Sequence, residues 1–140
     1  IRRPPRSTRK ESPAASDVYK RQEDAVAVVD LCFDIWGPEA QKIQKEMHDS
    51  DEPAHAVGKV NSKQKKAIQE NFLMNDVSMA LWTKANSLDK LGLDTYAITT
   101  YIKCINMTHG RVGDSGGYEP NGWFWSPAND CAKKVKKFIQ

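Results

Sequence analysis

Between Leu81 and Met107 the apolar positions recur with a helical period twice over, on either side of a Leu91-Gly92 break. The first stripe is Ala80, Leu81, Ala85, Leu88 and Leu91, and the second is Ala97, Ile98, Tyr101, Ile102, Cys104 and Ile105. Such spacing predicts two helices, each with one face to bury. Gly92 falls where a helix end needs positive φ, and Asp94 or Thr95 is placed to cap the next helix. The expectation is an antiparallel helix pair with a very short turn.

The flanking segments read as helix too. In the stretch 23–36, Ala25, Val28, Val29, Cys32, Phe33 and Trp36 trace a helical stripe, with Asp30 and Asp34 opposite. Gly37-Pro38 is expected to end that helix and open a short polar one over 39–48, anchored by Ile43 and Met47. Residues 49–61, with Pro53, Gly58 and several acids, read as a loop. Ser62 is the expected N-cap of a helix to about Leu73, with Ala67, Ile68, Phe72 and Leu73 inside. A break is expected at Asn75-Asp76, whose side chains bond local backbone, before a helix over 76–91.

Residues 109–122 contain five glycines and a proline and predict a long loop. Ser126 then caps a last helix, with Pro127 in its first turn. Its apolar face is Ala128, Cys131, Ala132, Val135, Phe138 and Ile139, and Lys133, Lys134, Lys136 and Lys137 fill the other side. The fold class expected is all-α, about six helices in a single domain over residues 23–140.

The hairpin resembles one tetratricopeptide repeat, a 34-residue unit of two helices with small and large positions interleaved. Ala85 and Ala97 match its close-contact small residues, Leu88, Leu91 and Gly92 its first-helix end and turn, and Tyr101, Cys104 and Ile105 its second-helix core. Lys84 departs, standing where the repeat has a large apolar residue, and so does His109, standing where it often has proline. The G-W-F-W-S-P string over 122–127 resembles the tail of small bacterial proteins that carry such units. A lone unit buries neither face by itself, so the helices at 62–73 and 127–139 are expected to cap it. The resemblance implies a non-catalytic module for protein–protein or peptide binding. Thr83, Lys84, Asn86, Ser87 and Lys90 on the first helix are the expected contact residues.

Composition changes the picture at one end. Residues 1–22 lack apolar periodicity, and the run SPAASDVYKRQ resembles translated sequencing adapter, as in a metagenomic fragment. They are read as a non-native or disordered leader, ahead of a basic nucleic-acid arm or a transit peptide. A start lost in this way leaves the compartment open between cytoplasm and periplasm. The chain has 21 basic and 18 acidic residues, net +3. The leader holds seven of the basic and two of the acidic ones, which leaves 14 and 16, net −2, over 23–140. The remainder therefore predicts no nucleic-acid partner and no attraction to anionic membrane. No stretch approaches the apolar length of a membrane span.

Candidate chemistry is sparse. Cys32, Cys104 and Cys131 are far apart, without zinc spacing; a Cys104–Cys131 bridge stays open, and core packing is expected of Cys32 and Cys104. His48, His55 and His109 are dispersed, so no metal or other cofactor is expected. No nucleophile motif or phosphate loop appears, and no catalytic residue is assigned. Tyr118, Trp123, Phe124 and Trp125 form the densest aromatic cluster. Its plainer role is to plug the helical pair. The alternative function is a glycan-associated accessory domain, or an enzyme fragment, with those rings stacking on a sugar.

Overall fold

A computed structural model gives the architecture, and it describes residues 13–114 and 122–140, with side chains from residue 17 onward. Helix dominates. α1 (Pro13–Asp49) is followed by a short strand β1 (Gly58–Lys59), then α2 (Ser62–Glu70), α3 (Phe72–Lys90) and α4 (Asp94–Asn106). Strands β2 (Val112–Gly113) and β3 (Trp123–Trp125) precede α5 (Pro127–Val135), which ends in a 3-10 turn at Lys136–Phe138. Tyr118 and half of the 109–122 loop, residues 115–121, lie outside the described residues.

Two of the six expected helices are one. α1 runs unbroken through Pro38, where sequence predicts a stop. A proline inside a helix removes a hydrogen bond and crowds the preceding turn. Packing on both sides of it outweighs that local cost: Val26 and Phe33 before Pro38, and Ala40, Ile43 and Met47 after it, join the same core. Gly37 permits this, because the Phe33 ring lies where a Cβ would stand, 2.8 Å away. The helix also takes in residues 13–22, and Tyr19 from that segment is buried in the core.

The buried face of α1 is rotated from the expected stripe. Val29 is inside and Phe33 packs on the core, but Val28, Leu31, Ile35 and Trp36 face solvent. The next helix boundaries shift as well. Asn61, not Ser62, caps α2, in a reciprocal box with Gln64. The break before α3 falls at Asn71, because Asn75 spends its side chain elsewhere: it donates to the Ile68 carbonyl and accepts from the Arg111 N–H.

α3 and α4 form the expected hairpin. Gly92 has φ +75° in the turn between them, the left-handed region that glycine enters without strain. Asp94 is the first residue of α4 and Leu93 its cap, without a side-chain bond. Ala85 and Ala97 are both fully buried, as are Tyr101 and Cys104. α5 lies against α4 and α3, and a disulfide joins Cys104 to Cys131 across a Cα separation of 6.3 Å. Ser126 caps α5 and Pro127 opens it, as expected.

The all-α expectation needs one addition. β1, β3 and β2 form a three-stranded antiparallel sheet in that order, with Phe124 opposite both Gly58 and Gly113. Phe124 packs with Val60 and Ile68 in a second, smaller core beneath it.

Candidate functional site

A wide concavity lies between the first half of α1 and the α3–α4 hairpin. It has a volume of about 680 Å³. Leu88, Leu91 and Leu93 form an apolar floor, because the hairpin turn brings the end of α3 and the start of α4 to one place. Asp30 of α1 and Lys84 of α3 form an ion pair on its rim, at 2.5 Å. Lys103 of α4 closes the far side, its ammonium 5.5 Å from the Phe33 ring centroid. Tyr96 stands half-exposed at the mouth. The groove combines apolar depth with charges of both signs at its edge.

The five expected contact residues do not share one surface. Lys84 faces this groove. Thr83 returns its hydroxyl to the Met79 carbonyl one turn back, and Ser87 is buried. Asn86 points the other way, donating to the Trp82 carbonyl and accepting from Lys134 of α5 at 2.6 Å. Lys90 lines that second cleft, of about 560 Å³, with Asp89, Lys133 and Lys137. A residue spacing of two on a helix separates side chains widely, which is why 84 and 86 diverge.

The aromatic cluster is divided too. Along β3 alternate side chains point to opposite faces. Phe124 goes into the small core, and Trp125 meets Trp82 edge-on at 5.4 Å. Trp123 stays half-exposed, its ring close to Gly58.

Several polar residues matter that periodicity does not single out. Asp89 accepts the Tyr101 hydroxyl at 2.8 Å and the Lys137 ammonium at 2.6 Å, tying α3 to α4 and to the end of α5. Burial, then the Asp89 carboxylate, push the Tyr101 phenol well above its usual range. Asp130 accepts the Trp82 indole N–H and pairs with Lys134. Burial opposes its charge, but those two donors hold its carboxyl below the ordinary value.

Arg111 is buried, and burial lowers its pKa; its guanidinium donates to the carbonyls of His55, Thr108 and Gly110. Gln44 accepts from the His109 backbone N–H, so its amide nitrogen faces Nδ1 of that ring at 2.7 Å. Nδ1 is then the acceptor, and Nε2–H donates to the Glu52 carbonyl. Apart from Thr108 and Gly110 for Arg111 and Lys134 for Asp130, these partners are distant along the chain.

Among the described residues no group of three His, Cys, Asp or Glu side chains could hold a metal ion. No described helix is long and apolar enough to cross a membrane. Comparison with protein-family models, curated proteins and solved structures finds no match for this chain.

Proposed function

We propose that the chain is a non-catalytic helical module of tetratricopeptide type that holds a peptide segment of a partner protein in the groove between α1 and the α3–α4 hairpin. The observation that carries this reading is the groove itself: a leucine floor framed by Asp30, Lys84 and Lys103. An apolar trough with opposite charges at its edges suits a segment that offers one or two apolar anchors and polar flanks. The buried alanines at 85 and 97 and the short Gly92 turn support the tetratricopeptide likeness. The departure at Lys84 then has a use, as the rim charge of the site.

The test is selection of peptides by display on the full chain, followed by affinity measurement with two variants. Lys84→Glu places like charges beside Asp30 and is expected to weaken binding about tenfold. Its melting temperature should move little, since the Asp30 partner is half-exposed and solvent-screened ion pairs contribute about 0.2–1 kcal/mol. Asn86→Ala, on the α5 side, is expected to bind as the parent does. Loss at Asn86 with none at Lys84 would move the site to the α5 cleft and overturn the groove.

A second reading keeps one observation of its own. Trp123 is half-exposed beside a cleft that Lys59 and Asn61 also line, an aromatic face next to polar groups. A sugar stacked there would quench tryptophan emission. Trp123→Phe with unchanged quenching removes this reading.

A further inference from the structure

The bend between α2 and α3 opens a further concavity, separate from the peptide groove. It has a volume of about 450 Å³ and lies between the two helices and strands β2 and β3. Its walls are apolar: Phe72 and Met79 from α3, Ile68 from α2, and Val112 and Phe124 from the sheet. Phe72 is 66% exposed although it opens a helix whose other large apolar residues turn inward. One carboxylate, Asp76, stands one helical turn after Phe72 and lines the same cleft.

Asp76 differs from the other acids near the core. Asp89 and Asp130 each accept two donors. Among the described residues no hydrogen-bond donor or ion-pair partner meets the Asp76 side chain, which is exposed at the edge of the cleft, and partial burial there raises its carboxyl above the ordinary range. A carboxylate at the rim of an apolar cleft, without a protein donor, is free to pair with a cation that the cleft admits. Arg111, the other charged residue on this cleft, is committed to three backbone carbonyls. A metal ion is a poor fit, because hard cations need several oxygen ligands and Asp76 offers the one carboxylate here.

We propose that this cleft receives a lysine side chain presented by a partner polypeptide, its ammonium on Asp76 and its aliphatic stem between Phe72 and Met79. The unpaired Asp76 carboxylate selects a cation at the rim, away from the Arg111 guanidinium that is held on backbone carbonyls, and the apolar walls select one carried on a long hydrocarbon stem. The exposed Phe72 ring adds an electron-rich face at the mouth of the cleft.

The probe is Nα-acetyl-lysine N-methylamide, titrated into the full chain while backbone amide shifts are followed. Saturable shifts are expected over 69–79 and at Val112 and Gly113. The norleucine counterpart keeps the stem and lacks the ammonium, and is expected to bind about tenfold more weakly. Asp76→Asn should lose affinity for the lysine probe by a similar factor while its melting temperature holds or rises. Phe72→Ala should lose about threefold. Equal binding of the norleucine probe to the parent chain overturns the proposal without recourse to any variant. Undiminished binding by Asp76→Asn, or shifts confined to the α1–α4 groove, overturns it too.

Discussion

The α3–α4 hairpin with its α1 and α5 neighbours and the small sheet with α2 are built on opposite principles. The hairpin draws its stability from helices whose apolar faces recur within each segment. Its core gathers Leu81, Ala85, Leu88, Ala97, Tyr101, Cys104 and Cys131 into one cluster. The sheet consists of strands of two or three residues, drawn from positions 58, 112 and 123. Its core is Val60, Ile68 and Phe124. Two-residue strands have no stability of their own, so the sheet exists because the helices bring its pieces together. The expectation is one of dependence: the sheet needs the helical core, and the helical core is expected to stand without the sheet.

The strongest test of that dependence is a pair of truncations. Tyr101→Ala empties the large core and removes the hydroxyl bond to Asp89, and should cost about 3–5 kcal/mol of global stability. Phe124→Ala empties the small core, where the loss should be confined. Hydrogen exchange is expected to show the sheet unprotected while α3 and α4 stay protected. Global unfolding by Phe124→Ala would make the two regions one cooperative unit.

Gly110 tests the seam between the regions. A Cβ built there would overlap the Ser78 side chain of α3. Gly110→Ala must push the segment after α4 away from α3, and is expected to cost about 1–3 kcal/mol by overpacking. The displaced segment carries Arg111 and β2, so sheet protection should fall more than helix protection. Equal losses in both regions would indicate a tighter seam.

The smallest expected effect is on pH dependence, and it belongs to the helical core alone. The Tyr101 phenol is held neutral above its ordinary value of 10.0, by burial first and by Asp89 second. A raised value means that this stability is fully present below pH 10.0 and is lost as pH rises towards the higher folded value. Thermal melts above that pH should lose stability in the parent chain and less in Tyr101→Phe. An identical alkaline slope in both would assign the loss to other groups.

Much of the helical framework is legible along the chain. The Gly92 turn, the buried pair Ala85 and Ala97, and the Ser126-Pro127 start of α5 all follow from local rules. Pro38 misleads because its local penalty is smaller than what α1 gains by packing along α3 on both sides. Val28 and Trp36 mislead because α1 carries apolar residues on two faces, and period alone does not say which face is buried. Asn75 misleads because its side chain serves the Arg111 backbone, 36 positions away, and not its own turn. Of the candidate site, Lys84 was legible as an anomaly, whereas Asp30, which pairs with it, and Lys103, which lines the same groove, were not.

The sequence by itself determined where helices could form, where the hairpin turns, and which small residues let α3 and α4 meet, because those depend on neighbours within a few positions. Only the tertiary structure decided which side of α1 faces the core, that Cys104 meets Cys131, that three short strands pair, and that Asp76 is left without a donor in an apolar cleft. Each of those depends on contacts between segments distant along the chain, and such contacts are set by how whole faces pack, which no local pattern of residues encodes.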